Sequence, residues 1–160
     1  MSFFTLAVLL LAQTTPVPDL PKGTGLPPPG REDAAVMTPI NALFAGIAAR
    51  DSAAVAATLR NLGNATAVEE NADGTRSIRR LDFLAFAARF QPGAQRLEER
   101  FSDPAIEIDG DIAMVWGRYV FLIDGQVHNC GYDHFDLVRE NGAWKIANLT
   151  YSSRTTGCTA

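Results

Sequence analysis

The stretch "HNCGYDHFDLVRENGAWKIANLTYSSRTTGC", residues 128–158, gathers two histidines, three acids and both cysteines of the protein. Residues of these types can move protons, hold a metal ion, or form a covalent clasp. Metal binding fits worst. Two cysteines cannot make a four-sulfur zinc site, and His128, Cys130 and His134 lack the usual ligand spacings, so no metal site is expected. What the remaining groups can do depends on the face that each one occupies.

Asp124-Gly125 and Asn141-Gly142, flanked by apolar or alternating runs, are strong two-residue hairpin signals. With Gly110 they divide the second half of the chain into long strands: "AQRLEERFSDPAIEI", "IAMVWGRYVFLI", "QVHNCGYDHFDLVRE" and "AWKIANLTYSSR". Upstream, Thr38-Pro39 predicts a helix start, followed by Ile40, Leu43, Phe44 and Ile47 on one face. Asp51 caps a second helix ending at Gly63. "ATAVEE" and "TRSIRR" around Asn71-Ala72-Asp73-Gly74 predict a short hairpin. A third helix, from about Asp82 to Phe90, aligns Phe83, Phe86, Ala87 and Phe90. The expected class is α+β, with three N-terminal helices packed on one face of a curved antiparallel sheet.

Counting outward from the two tight turns sets Asp133 opposite Trp116 and Thr150, Gly131 opposite Arg118 and Ser152, and Phe135 opposite Met114 and Asn148. Side chains alternate across a sheet. One face then carries Met114, Trp116, Arg118, Val120, Asp133, Phe135, Leu137, Trp144, Ile146, Asn148 and Thr150, and is assigned to the helices. The other carries Val115, Tyr119, Phe121, Cys130, Tyr132, His134, Asp136, Ala147, Leu149 and Tyr151. That second face holds many aromatics for open water, and a homodimer through it is expected. A one-residue bulge would exchange the faces, and Gly131 offers a place for one.

In this register Asp133 is the candidate of interest. A carboxylate on an apolar floor has its pKa raised by desolvation and lowered by a neighbouring Arg118, a competition that suits proton transfer. It is read as a general base, as a ligand-orienting acid, or as half of a buried ion pair that holds the sheet. The expected ligand-contacting set is Trp116, Arg118, Asp133, Phe135, Asn148 and Thr150. His134 falls on the outer face and His128 beside a turn in solvent. Glu98, Glu99 and Arg100 read as a solvated rim.

The 160 residues, 47% hydrophobic and 20% charged, suit one domain with one core. The net charge of -4, with no basic stripe beyond Arg79-Arg80, argues against a nucleic-acid partner. The apolar run Phe3–Ala12 has the length of a signal-peptide core and is too short to span a bilayer. Residues 1–12 therefore read as a signal peptide and 13–31 as a Pro/Gly-rich tether, with six prolines and three glycines over 16–30. A domain over 32–160 follows, with no stable membrane span after cleavage and a periplasmic or secreted location. In such a compartment an even cysteine count favours a Cys130–Cys158 disulfide. Gly157 lets the tail turn back to reach Cys130, and closing a loop of about 29 residues contributes roughly 3 kcal/mol.

"EERFSDPAIEIDGDIAMVWGRYVF", "CGYDHFDLVRENGAWKIANLTYSSRTTGC" and the helix "INALFAGIAARD" together resemble the nuclear transport factor 2-like superfamily. The likeness covers about residues 36–158 and is nearest to the SnoaL-like branch of small, often exported bacterial proteins without assigned function. It implies a cone-shaped, cystatin-like α+β fold, a sheet wrapped around a pocket, and dimers through the sheet's outer face. It does not imply one activity. The first expectation is an exported module that binds a small, partly apolar molecule, without a cofactor. The alternatives are a cofactor-independent isomerase, dehydratase or hydrolase with Asp133 as general base, and a dimeric interaction module whose pocket is filled.

Overall fold

The computed structural model describes residues 31–159. The leader expected over 1–12, and the tether expected over 13–31 save its last residue, lie outside them. Helix α1 (Arg31–Ala49) buries Val36, Ile40, Leu43 and Ile47, none more than 2% exposed, at the spacing of one helical face. It begins earlier than Thr38-Pro39 predicts, and Pro39 lies inside it. An interior proline costs about 3 kcal/mol against alanine. Burial of Val36 and an ion pair from Glu32 to Arg139 hold the first turns in place against that cost. The Thr38 hydroxyl donates to the Ala34 carbonyl at 3.0 Å instead of capping a helix start.

Helix α2 (Ser52–Thr58) is capped by Asp51, whose Oδ1 accepts from the Ala53 and Ala54 amides at 3.0 Å. Strands β1 (Asn64–Glu70) and β2 (Arg76–Asp82) form the expected hairpin, and Asp82 caps the short α3 (Phe83–Ala87). The four long strands are β3 (Leu97–Asp109), β4 (Ile112–Ile123), β5 (Gln126–Glu140) and β6 (Ala143–Arg154). The six form one curved sheet in the order β2-β1-β6-β5-β4-β3, with β1 parallel to β6 and the other neighbours antiparallel. The helices pack on one face, so the fold is α+β. Among the described residues no helix is long and apolar enough to cross a membrane.

Both tight turns form as predicted. Asp124 and Gly125 have φ of 52° and 80°, and Asn141 and Gly142 have 53° and 79°, the paired positive values of a type I′ turn. Beside the turns the register is also as counted, with Leu122 opposite Val127 and Leu137 opposite Ile146. It then slips. Phe121 pairs with Asn129 and Asp136 with Asn148, leaving His128 and Ala147 as extra residues. Neither bulge is at Gly131.

Because the side-chain period is two, each extra residue exchanges the faces beyond it. Asp133 therefore lies opposite Gly117 and Tyr151, not Trp116 and Thr150, and Phe135 opposite Val115 and Leu149, not Met114 and Asn148. Asp133, Phe135 and Leu137 keep the helix side. On β4, Val115, Tyr119 and Phe121 take the place expected for Met114, Trp116, Arg118 and Val120. On β6, Leu149 and Tyr151 replace Asn148 and Thr150.

Cys130 and Cys158 are bonded, with Cα atoms 5.6 Å apart. Cys130 pairs with Arg154, one residue on from the counted register. Gly157, at φ 66°, turns the tail back. The bridge is packed with Val120 and Leu122, a small apolar cluster separate from the main core.

Candidate functional site

Between the helices and the sheet lies a cavity of about 460 Å³, within the usual range for small-molecule sites. Part of its wall is apolar: Leu43, Phe44 and Ile47 from α1, Phe86 from α3 and Phe90 beyond it, and Phe121, Phe135 and Leu149 from the sheet. Phe44, Phe101 and Phe135 pack with centroids 5.6–6.1 Å apart, which fixes that wall.

Two carboxyl groups stand on this apolar surface. Asp133 is 3% exposed. Glu99 comes from "LEERF", where alternation puts Leu97, Glu99 and Phe101 on the inner face and leaves Glu98 and Arg100 to pair in solvent at 2.6 Å. Glu99 is thus a cavity residue and not part of the rim expected for it. Glu99 and Asp133 lie within hydrogen-bonding reach of each other. Desolvation raises both, taking Glu99 to about 7 and Asp133 well above the ordinary carboxylate range, with the negative charge of Glu99 adding to the rise at Asp133. Like charges this close cannot both ionise cheaply, so the pair retains a proton at neutral pH. Asp133 Oδ2 is buried and has no donor among the described groups.

The counterweight expected from Arg118 is absent. Its guanidinium is on the outer face and donates to the Thr159 hydroxyl at 2.9 Å. Trp116, expected beside the ligand, is 46% exposed and stacks on Tyr132 at 5.2 Å. Asn148 donates to Asp136 at 3.4 Å, and Thr150 pairs with His134. Of the expected ligand-contacting set, Asp133 and Phe135 line the cavity, and Trp116, Arg118, Asn148 and Thr150 do not. The two bulges account for all four.

Tyr119 stands beside the pair. Its hydroxyl donates to the Ser152 carbonyl and accepts from Asn129 Nδ2, both at 2.9 Å. Burial, with the charges of Asp133 and Glu99 adding, raises its pKa, so it stays a neutral phenol. Asn129 Nδ2 also donates to Ser153 Oγ at 3.0 Å, and Asn129 Oδ1 lies 2.8 Å from His128 Nδ1. The bulge re-aims His128 onto the cavity, where it is exposed at the mouth and not simply solvated beside a turn. The lining also includes Arg50, Arg79, Arg89 and Arg154, and the carboxylates Glu69 and Glu70.

A family model described as "Putative lumazine-binding" matches residues 31–152. The chain belongs to this family. Solved structures with the same fold include an NTF2-like protein from Cytophaga hutchinsonii, 15% identical with a TM-score of 0.61, covering 78% of this chain and 98% of that one. A cystatin-like protein from Nostoc punctiforme is 12% identical with a TM-score of 0.59, covering 79% and 95%. These likenesses agree with the nuclear transport factor 2-like resemblance of the sequence and concern the fold. No curated protein matches the chain.

In this member of the lumazine-binding family, the residues that counting missed were Glu99, Tyr119 and Asn129. Glu99 had a signal, since Leu97 and Phe101 flank it at the period of a strand. Tyr119 and Asn129 had none, because their place depends on the bulge at His128.

Proposed function

We propose that the protein binds a small, flat, partly apolar molecule in this cavity, with a hydrogen-bond donor of that molecule set against Asp133. The carrying observation is Asp133 Oδ2, buried at an aromatic-walled cavity without a protein donor. A buried acceptor left unmet costs about 1–3 kcal/mol, so a ligand N–H or O–H that meets it gains that much. A lumazine, a bicyclic heteroaromatic with ring N–H groups, has this character, and the family's description supports testing it first. Titration of the protein with lumazine, followed by fluorescence, is expected to saturate. Asp133→Asn is expected to weaken binding about tenfold or more. Saturation with equal affinity in the variant would remove Asp133 from the site.

A second reading has its own observation. Two carboxyls that share a proton, with raised pKa values, are suited to general acid–base work in a cofactor-independent isomerase, dehydratase or hydrolase. Asp133 and Glu99 would then divide the acid and base roles between them. An activity found by substrate screening and left unchanged in Asp133→Asn would exclude that role.

Export and self-association belong to the same proposal. The Cys130–Cys158 bond supports an oxidising compartment, periplasmic or extracellular. The exposed Trp116 and Tyr132, with His134 beside Trp116 at 6.0 Å, support a homodimer through the outer face of the sheet. Sedimentation is expected to give a dimer that Trp116→Glu converts to monomer; a monomeric wild-type protein at tens of micromolar would exclude it.

A further inference from the structure

Four arginines and the carboxyls of Glu69, Glu70, Glu99 and Asp133 line the cavity, and they are unevenly paired. Arg79 pairs with Glu69, and Glu70 pairs with Arg76. Among the described residues Arg50, Arg89 and Arg154 have no carboxylate within ion-pair distance, yet all three line one cavity of a chain whose net charge is -4. Arg50 is also pre-aimed. Its Nε donates to the Gln91 carbonyl at 2.9 Å and its Nη1 to the Gln95 carbonyl at 3.2 Å. Gly93 leaves room for the guanidinium, since a Cβ there would come within 2.7 Å of Nη2. Two backbone acceptors fix the fork without neutralising it. The positive charges of Arg89 and Arg79 bear on the Tyr151 hydroxyl, which is itself part of the lining. The Glu99–Asp133 pair repels an anion, which directs any anionic group toward the arginines.

We propose that Arg50, Arg89 and Arg154 form an anion subsite, so that the ligands are aromatic or heteroaromatic carboxylic acids. The ring lies among Phe44, Phe86 and Phe135, and the carboxylate meets guanidinium groups in the paired geometry that suits both. This rests on the small-molecule reading above and adds to it the charge of the ligand. A bland role is available for Arg50, which also holds the Gln91–Gln95 loop. The double variant Arg89→Gln, Arg154→Gln is therefore the deciding one.

The test is calorimetric titration with two probes of one ring system, 1-naphthoate and the uncharged 1-naphthalenemethanol. Wild-type protein is expected to bind the acid about tenfold or more tightly, a preference reduced by salt and brought near unity in the double variant. Arg60→Gln, which breaks a surface pair with Glu140 away from the cavity, is expected to keep it. Equal affinity for the two probes, or a preference unchanged in the double variant, overturns the subsite while leaving small-molecule binding standing. If neither probe binds, the subsite fails, and the lumazine titration decides the small-molecule reading separately.

Discussion

Glu99→Gln is expected to remove about 2–3 kcal/mol of a pH-dependent loss of stability that the wild-type protein shows as pH rises from 4.5 to about 7. The sign follows from where the proton is held more tightly. Glu99 keeps its proton to about 7 in the folded protein, against 4.5 for an ordinary glutamate. Across that interval the unfolded chain binds fewer protons, so stability is full below the lower value and declines toward the upper one. The cause is chiefly desolvation among Leu97, Phe101 and Phe135, and solvent reaching Glu99 through the cavity moderates the size. Asp133 adds a decline of the same sign, which continues in the Glu99→Gln protein but is smaller without a second charge beside it. Urea denaturation at pH 5, 6, 7 and 8 measures both proteins. Parallel pH profiles would show that Glu99 is ionised throughout and does not share a proton with Asp133.

Gly131→Ala is expected to destabilise the fold by about 3–4 kcal/mol, at the severe end for a single methyl group. A Cβ at this position would sit 2.0 Å from the Ser152 carbonyl oxygen and 2.7 Å from its carbon. Both are backbone atoms of β6, so no rotamer change relieves the clash. The strands must separate where the Tyr132 amide donates to Ser152 Oγ and the Ser152 carbonyl receives the Tyr119 hydroxyl. Loss of that anchor also frees Tyr119 beside the carboxyl pair. Thermal or denaturant unfolding gives the size of the effect. A loss below about 1 kcal/mol would mean that the two strands are not in this close contact.

The sequence made some of this legible and hid the rest for definable reasons. Asp-Gly and Asn-Gly demand positive φ, so both tight turns could be located, and with them the strands and the α+β class. The cap at Asp51 was equally local. Helix α1 was misjudged because Thr38-Pro39 is a good start signal, overridden by the burial of Val36 and the Glu32–Arg139 pair, which join residues far apart in the chain. The faces of β4 and β6 were misjudged because nothing local marks His128 or Ala147 as a bulge, and one unmarked residue moves every later side chain to the other side. Asp133 survived, since β5 itself kept its helix-facing side. Its partner did not: Arg118 was expected, and Glu99 from the other side of β4 takes the place, turning a predicted ion pair into a shared proton.

That shared proton is the centre of the account, and carbon-13 NMR titration of the side-chain carboxyls reads it directly. Glu99 is predicted to titrate near 7 and Asp133 well above the ordinary carboxylate range, so that the pair gives up its protons in two separated steps. Two carboxylates fully ionised by pH 5 would contradict it.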